Sequence, residues 1–204
     1  MGPKSIFIAI VSVFAIGMGA WLSYQLVVPP AMPRTATVLP ATAELPEFSL
    51  LDQHGNSVGR GAFAERWSLV FFGFTNCPDI CPLTLQVLAN ARQKLSDAGH
   101  SPLPQIVLIS VDPERDTPGV LAEYVGYFGG DIMGLTGDIE ELRKLTGALG
   151  IFFDKSLTDD GNYSMNHSAA VLVFNPRAEF HALFSAPHEV DNFIHDLPLI
   201  MSEP

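Results

Sequence analysis

The longest apolar stretch of the chain lies near its N-terminus, where 23 consecutive residues, 6–28, carry no charge. A helix of roughly 20 apolar residues spans a hydrocarbon core of about 30 Å, so residues 1–28 are predicted to form a transmembrane anchor. The alternative is a cleavable signal peptide. The anchor is favoured because the stretch exceeds the usual apolar region of about 7 to 15 residues and ends at Pro29-Pro30, without an A-x-A cleavage site.

Lys4 precedes the anchor, and a basic flank stays on the cytoplasmic side. Only five residues come before the apolar stretch, and none resembles a transit peptide, which favours a bacterial over an organellar protein. We therefore expect a single-pass protein of the bacterial inner membrane with its C-terminal domain in the periplasm. Residues 29–45 are rich in Pro, Ala and Thr without apolar periodicity and are predicted to be a flexible linker, followed by one globular domain at 46–204.

Within that domain, short continuous apolar runs alternate with segments of helical periodicity. The runs at 68–74 and 105–111 are typical of strands buried on both faces. Each is followed by a predicted helix, 83–98 with Pro82 in its first turn and 117–128 with Thr117 or Asp116 as its cap. This alternation predicts an α/β sheet.

The remaining segments add antiparallel structure and more helices. Residues 48–51 lead into the turn 52–56 and predict an N-terminal hairpin, and Asn175-Pro176-Arg177 predicts a hairpin between 169–174 and 179–184. Asp138 and Glu141 are spaced as a capping box for a helix through Leu149, and a last helix is predicted at 189–195. Together with the cysteine pair described below, the pattern predicts a thioredoxin-like α/β fold with an N-terminal hairpin extension, preceded by one transmembrane helix.

The charge distribution excludes one class of partner. Residues 35–204 carry all 22 acidic residues but only 9 of the 11 basic ones, which gives this part a net charge near −13. Such a surface repels phosphate backbones and anionic lipid headgroups. Nucleic acid is therefore not expected as a partner, and a cationic ligand or partner patch is mildly favoured.

The only two cysteines are Cys77 and Cys81, at the end of the first buried strand. A structural disulfide is the alternative, but it would close so short a loop that it would remove little chain entropy. A reversible, functional dithiol is the better interpretation. The helix N-terminus that follows is expected to lower the pKa values of both thiols. Pro78 and Pro82 stiffen the loop, and a stiff loop favours binding of a metal ion.

Two thiolates need a third ligand to form a three-coordinate site for a soft metal. Copper(I) is selected by thiolates and accepts imidazole. His167 is the candidate, because it lies immediately before the strand predicted at 169–174, whose entering loop lies beside the redox loop in a thioredoxin-like sheet. The other histidines are interpreted as solvated or structural: His54, His100, His181, His188 and His195.

These motifs identify a family. The chain resembles the Sco/SenC family of copper-binding assembly factors for cytochrome c oxidase over residues 46–200. The resemblance rests on five blocks of sequence: F-S-L-L-D-Q-H-G, L-V-F-F-G-F-T-N-C-P-D-I-C-P, I-S-V-D-P-E-R-D-T-P, G-L-T-G at 134–137, and N-H-S-A before the late strand. The cysteine block with a downstream H-S is highly specific for this family.

The resemblance implies that Cys77, Cys81 and His167 bind copper(I), and also copper(II), on a thioredoxin-like fold. It further implies two partners, the copper-bearing subunit of cytochrome c oxidase and a periplasmic copper donor. The family either delivers copper to the dinuclear site of that subunit or reduces the cysteines of the site. The chain departs from the family at Asn166, where an Asp usually precedes the histidine.

Several nearby residues have open roles. Asp112, Glu114, Arg115 and Asp116 are predicted to terminate a strand and cap a helix, with shaping of the site rim or contact with a partner as the alternative. Asp79 is expected either to influence the thiolates or contact the target protein, or to be a solvent-facing acid of the loop. Met133 and Met165 are soft enough to ligate copper, but core packing is the favoured use of both.

Two other activities and one other metal compete with a copper metallochaperone. As a thiol-disulfide reductase, the chain would attack a target disulfide with Cys77 and resolve the mixed disulfide with Cys81. Peroxide reduction shares the fold but needs a Thr or Ser before the nucleophile and a nearby Arg, and only Thr75 fits, loosely. Zinc is disfavoured because a closed tetrahedral site takes four protein ligands and only three converge here. Enzymatic activity is thus expected only if the dithiol acts as a reductase.

Overall fold

The computed structural model describes residues 2–27, 31–129, 131–158 and 161–202. The chain divides into two compact units, residues 1–32 and 33–204. The first unit contains the helix α1 (Pro3–Val27), in which Pro3–Ser23 is long and apolar enough to cross a membrane. The predicted end of the anchor at Pro29-Pro30 lies outside the described residues.

The described residues of the second unit form ten strands and four α-helices. In chain order these are β1 (Ala36–Glu44), β2 (Leu50–Asp52), β3 (Ser57–Val58), β4 (Ser68–Gly73), α2 (Ile80–Asp97), β5 (Gln105–Ser110), α3 (Pro118–Gly126), β6 (Ile132–Thr136), α4 (Ile139–Leu149), β7 (Phe153–Leu157), β8 (Tyr163–His167), β9 (Val171–Phe174), β10 (Glu179–Phe184) and α5 (Val190–Met201).

Eight of these strands form one mixed sheet in the order β1-β10-β9-β4-β5-β6-β2-β3. β4, β5 and β6 run parallel, and β9 and β10 pair antiparallel beside them. Every residue of β4 and β9 is buried, as the continuous apolar runs predicted. The predicted α/β sheet, its N-terminal hairpin (β2 and β3) and its late hairpin (β9 and β10) are confirmed.

The linker predicted at 29–45 is too long, because residues 36–44 form β1 and pair with β10 at the edge of the main sheet. The pairing shifts register between Val38 and Ala43, a region that contains Pro40. Proline is tolerated at such irregular positions of an edge strand. Because proline is rare in strands, its presence led to the prediction of a linker here. The ordered domain therefore begins near Pro33 rather than at residue 46.

A buried carboxylate fixes the entry of the chain into this domain. Asp196 on α5 accepts hydrogen bonds from the backbone N–H groups of Arg34, Thr35 and Ala36 at 2.8, 2.8 and 2.9 Å. The Thr35 hydroxyl donates a further bond of 2.9 Å, and His195 Nδ1 lies 2.6 Å from the same carboxylate. The segment just before β1 is thereby tied to α5.

The predicted caps of α3 and α4 are confirmed only in part. Thr117 caps α3 by accepting from the Val120 N–H, so Asp116 is not the cap. Asp138 caps α4 by accepting from the Glu140 N–H at 2.8 Å. Glu141 does not complete the predicted capping box but accepts from the Ser49 N–H at 2.9 Å, which ties α4 to the segment before β2.

The G-L-T-G motif marks two close approaches. A Cβ at Gly134 would lie 3.2 Å from Leu121 Cβ and 3.3 Å from Val125 Cγ1, so this glycine lets α3 approach β6. A Cβ at Gly137 would lie 2.8 Å from Leu50 Cδ2. At both positions the absence of a side chain allows close packing, and neither glycine has a positive φ.

β7 and β8 form a separate two-stranded sheet, which we call the histidine hairpin. Their register pairs Phe153 with His167 and Leu157 with Tyr163. Of the ten strand residues only Phe153 and Met165 are buried. Most of the hairpin therefore lies on the surface.

Candidate metal centre

The cysteines lie where β4 passes into α2, in residues 74–81, which we call the cysteine segment. Cys77 is partly exposed in the connection, whereas Cys81 lies in the first turn of α2 and is fully buried. α2 begins at Ile80, earlier than the predicted residue 83. Both thiols are free. The dithiol thus pairs a partly exposed cysteine with a buried one.

A glycine sets the position of the enclosed sulfur. A Cβ at Gly73, the last residue of β4, would lie 3.1 Å from Cys81 Sγ, 3.2 Å from Leu108 Cδ1 and 2.8 Å from a ring carbon of Phe71. A Cβ contact below about 3.4 Å is tighter than ordinary packing, so any side chain here would displace its neighbours. Cys81 therefore rests directly against bare backbone.

The buried carboxylate of Asp116 holds the start of the cysteine segment. It accepts from the Thr75 N–H at 2.9 Å, from the Thr75 hydroxyl at 2.6 Å and from the Ser110 hydroxyl at 2.6 Å. These three bonds satisfy a carboxylate that has no exposed surface. The predicted capping role of Asp116 is wrong, and its function is to join β5 to the cysteine segment.

His167 is the last residue of β8, and its ring reaches the enclosed cysteine. Its Nε2 lies 3.5 Å from Cys81 Sγ. The rings of Phe71 and Phe74 contact the imidazole edge-to-face, with centroid distances of 5.7 and 5.8 Å. Two segments separated by 86 residues therefore meet at one point, as the sequence predicted.

The hydrogen bond on the far side of the imidazole defines its tautomer. Nδ1 lies 2.9 Å from the carbonyl oxygen of Ser168, which can only accept, so Nδ1 carries the proton. Burial lowers the pKa of His167, although the bond to Ser168 opposes the shift, and this favours the neutral ring. The lone pair of Nε2 then faces Cys81, which is the arrangement a metal-ligating histidine requires.

The predicted lowering of the thiol pKa values is wrong for Cys81. Burial raises the pKa of its thiol and Cys77 adds to the rise, whereas a backbone hydrogen bond with Phe74 acts in the opposite direction but more weakly. The sequence showed the helix N-terminus but did not show how completely the sulfur is enclosed. Cys81 is therefore a protonated thiol that needs a positively charged partner to release its proton.

A cluster of side chains ties the histidine hairpin to the end of β5. Arg115 forms a salt bridge with buried Asp112, donates to the Tyr163 carbonyl at 3.0 Å and stacks 3.8 Å from the centre of the Tyr163 ring. The Tyr163 hydroxyl donates to Asp112 at 2.9 Å. Lys155 on β7 adds an ion pair of 2.7 Å with Glu114. We call Asp112, Arg115 and Tyr163 the tie.

The tie was missed at the sequence level. The D-P-E-R-D-T-P block predicts mainly the end of a strand and the cap of a helix, whereas Asp112 and Arg115 bind Tyr163 on β8. Tyr163 carried no signal of its own, because its partners lie about 50 positions away.

The other candidates take the places expected of structural or surface residues. Met165 is buried in the core, Met133 is partly buried, and Asp79 and Asn166 are exposed. His54 and His100 are exposed, His181 packs edge-to-face on Trp67, and His188 Nε2 lies 2.7 Å from the Ala169 carbonyl. Asn166 points away from the buried face of β8, so the usual Asp at this position would face solvent here.

The candidate ligands Cys77, Cys81 and His167 lie near one another, but they do not form a complete metal site in this structure. Within the parts of the chain that the structure describes, no group of three or more His, Cys, Asp or Glu side chains has the geometry to hold a metal ion. Cys81 and His167 already adjoin, and Cys77 lies close enough to raise the pKa of Cys81. The three predicted residues thus lie in one region, with Cys81 next to His167 and Cys77 next to Cys81.

Fold and site together define a class: a thioredoxin-like domain with a dithiol at the start of a helix and a histidine beside it. Residues 37–202 match the family model SCO1/SenC. The chain belongs to the SCO1/SenC family.

Similar proteins agree with this assignment. The mitochondrial SCO2 homolog of Mus musculus is 32% identical over 192 residues, which are 92% of this chain and 75% of that protein. Among solved structures, copper-bound ScoI of Arabidopsis thaliana has a TM-score of 0.71 and 33% identity, covering 78% of this chain and 96% of its own. Apo Sco1 of Thermus thermophilus has a TM-score of 0.72 and 33% identity, with 83% and 99% covered. The predicted thioredoxin-like fold is confirmed.

Proposed function

We propose that this protein is a copper metallochaperone that binds copper through the thiolates of Cys77 and Cys81 and through Nε2 of His167. The distance of 3.5 Å between Cys81 Sγ and His167 Nε2 carries this proposal. Solved relatives from Arabidopsis thaliana and Bradyrhizobium japonicum are described with copper bound. Copper is the cargo of the protein rather than a permanent cofactor.

The donor set fits copper(I) better than other metals. Two thiolates and one imidazole are soft ligands, which select copper(I), whereas a structural zinc site takes four protein ligands. Binding replaces the protons of the two thiols, so the metal supplies the positive charge that buried Cys81 lacks. The ring of His167 needs no change, because its Nε2 lone pair already faces the sulfur. Cys77 closes the site from the exposed side.

The surroundings of the site suit transfer to another protein. Ile80 and Leu83 on α2 are 39% and 57% exposed beside the cysteines, and Phe152 is 63% exposed beside His167. Apolar side chains around a partly open site give a partner a contact surface. On the family resemblance, the receiving partner is the copper-bearing subunit of cytochrome c oxidase, and a periplasmic donor loads the site. Residues 1–28 would anchor the protein in the bacterial inner membrane, with the domain in the periplasm.

The decisive experiment is an anaerobic copper(I) titration of the full-length protein in detergent, in competition with a chromophoric chelator. His167→Ala should lower the affinity by about 100-fold, since even partners of metal ligands contribute 10- to 100-fold. Cys77→Ser should abolish tight binding, and His100→Ala, at an exposed position, is the matched control. An unchanged affinity in His167→Ala would eliminate the three-ligand site.

A thiol-disulfide reductase is the second candidate, and the unequal exposure of the two cysteine residues favours it. Cys77 is accessible for attack on a target disulfide, and enclosed Cys81 would resolve the mixed disulfide, leaving a Cys77–Cys81 disulfide and a reduced target. Reduction of a disulfide-bonded peptide by the same variants separates the two functions. A reductase retains its rate in His167→Ala and loses it in Cys77→Ser.

A further inference from the structure

A second histidine is hydrogen-bonded to the segment that leads from His167 into β9. His188 lies between β10 and α5, and its Nε2 is 2.7 Å from the carbonyl oxygen of Ala169. A carbonyl can only accept, so Nε2 carries the proton and donates it. Residues 168–170 lie between β8 and β9, outside both strands. This carbonyl is therefore bound by a side chain rather than by a neighbouring strand.

The ring of His188 is held by aromatic neighbours in the core. It packs against the ring of Phe193 on α5, with a centroid distance of 5.8 Å. The Phe193 ring lies 4.3 Å from that of Phe184, the last residue of β10, and both phenylalanines are buried. His188 therefore ties Ala169 to the place where α5 packs on the main sheet.

The second ring nitrogen of His188 shows what the imidazole gives up at this position. Nδ1 is buried and, within the described parts of the chain, has no hydrogen-bond partner. Burial lowers the pKa of His188, although the bond to Ala169 opposes the shift, so the ring is neutral and Nδ1 has a lone pair. Buried polar atoms nearly always have a partner. The bond to Ala169 is what the chain gains in exchange for this unsatisfied atom.

Ala169 adjoins the peptide group that orients His167. The carbonyl of Ser168 accepts from Nδ1 of His167 at 2.9 Å, and the carbonyl of Ala169 is the next one along the chain. Successive peptide planes are joined by only two rotatable backbone angles, here those of Ala169. Fixing the Ala169 carbonyl therefore restricts the Ser168 carbonyl. Through this carbonyl, His188 limits the direction in which Nε2 of His167 faces Cys81.

We propose that His188 is a positioning residue of the copper site: by binding the carbonyl of Ala169, it holds His167 in the tautomer and orientation that copper binding requires. This proposal rests on the copper-binding function proposed above. A metal-binding histidine needs one ring nitrogen protonated and hydrogen-bonded, so that the other presents its lone pair to the metal. Ser168 provides that bond directly, and His188 fixes the position of Ser168.

Loss of the bond from His188 has two measurable consequences. In the metal-free protein the Ser168 carbonyl gains freedom, so His167 should populate both neutral tautomers instead of the Nδ1–H form alone. In the copper titration the affinity for copper(I) should fall by about 3- to 10-fold. This loss is smaller than the roughly 10- to 100-fold contribution of a direct partner of a ligand, because the effect passes through the backbone.

The test compares two substitutions of the same residue. His188→Leu removes the donor and keeps an apolar side chain, whereas the side-chain amide of His188→Gln can donate to the same carbonyl. His100→Leu, at an exposed position, is the matched control.

Both properties are measured on the full-length protein in detergent micelles. The tautomer of His167 is read from the NMR shifts of its ring nitrogens, assigned with His167→Ala, and copper(I) affinity is measured by chelator competition. We expect mixed tautomers and weaker binding in His188→Leu, and values close to the wild type in His188→Gln and His100→Leu.

Three results would overturn the proposal. Equal losses in His188→Gln and His188→Leu would show that the imidazole acts only by packing. A single Nδ1–H tautomer and an unchanged affinity in His188→Leu would show that Ser168 orients His167 without help. A wild-type protein that binds no copper would refute the proposed function and, with it, this role of His188. Because the tautomers are read without metal, the failures of the two proposals are distinguished.

Discussion

The two halves of the site are built in opposite ways. The cysteine segment runs from a fully buried strand into a long helix, and Cys81 lies against the backbone of Gly73. The histidine hairpin has two strands, is mostly exposed and buries only Phe153 and Met165. One half is thus positioned by the core, and the other by a few polar side chains. From this difference we expect the position of His167 to depend on the tie, and the position of Cys81 to depend on the core.

The charges and hydrogen bonds of the tie can hold the histidine hairpin in place. Asp112 is almost fully buried and accepts from both Arg115 and Tyr163. Such a pair is worth most when both partners are present, because removing one leaves a buried charge alone. We therefore expect the histidine hairpin to detach, through loss of the tie, before the core of the domain unfolds.

Breaking the tie should have the largest effect. Arg115→Met leaves Asp112 without its cation and is expected to destabilise the domain by about 3 kcal/mol and to weaken copper binding strongly. Tyr163→Phe removes one hydrogen bond and should cost about 1 kcal/mol. Urea unfolding and copper(I) titration measure both effects.

Arg66→Met, at an exposed arginine, serves as the control and should change stability by less than about 0.5 kcal/mol. Wild-type copper affinity in Arg115→Met would mean that the hairpin positions His167 without the tie.

Disturbing the rigid half should have an intermediate effect. Gly73→Ala brings a methyl group against Cys81 Sγ and Leu108, and overpacking of this kind costs about 1 to 3 kcal/mol. Because the displaced atom belongs to a proposed copper ligand, copper affinity should fall as well. Gly119→Ala in α3, where an added Cβ meets nothing within 4 Å, is the matched control. Equal behaviour of the two variants would contradict the close packing of Cys81.

A charge outside both halves should leave copper binding unchanged and alter only the response to acid. Burial disfavours ionisation of Asp196, but hydrogen bonds from Arg34, Ala36, His195 and Thr35 outweigh it, so the pKa lies below its usual range. The stabilisation is then complete above the unfolded pKa of about 3.9 and is lost as the pH falls below it. Urea midpoints from pH 6 to pH 3 should fall less steeply in Asp196→Asn. If the urea midpoints of the wild type and of Asp196→Asn fell equally with pH, ionisation of Asp196 would not contribute to stability.

Sequence patterns predicted the parts of this molecule that are governed by burial. β4, β5, β9 and β10 were found because their residues face the core. Cys77, Cys81 and His167 stand out in the sequence as candidate ligands, and the structure places Cys81 beside His167. β7 and β8 were missed, since a mostly exposed hairpin has no apolar periodicity. β6 was missed because it is short and interrupted by Gly134, whose purpose is visible only beside α3.

The candidate site, like the fold, could be predicted from the sequence only in part. The meeting of Cys81 with His167 followed from fold topology, but the raised pKa of Cys81 follows from how completely its neighbours enclose it. The bonds from Arg115 and Tyr163 to Asp112 join positions that local patterns cannot connect. Long-range polar contacts of this kind need coordinates.

The strand β1 has a practical consequence for handling the protein. It covers the outer edge of β10, and its irregular pairing around Pro40 leaves a poor template for another strand. A fragment that starts at residue 46 would lack this cover and expose the open hydrogen-bonding edge of β10 to other molecules. Self-association through that edge is the expected failure of such a fragment, and a soluble version should begin no later than Pro33.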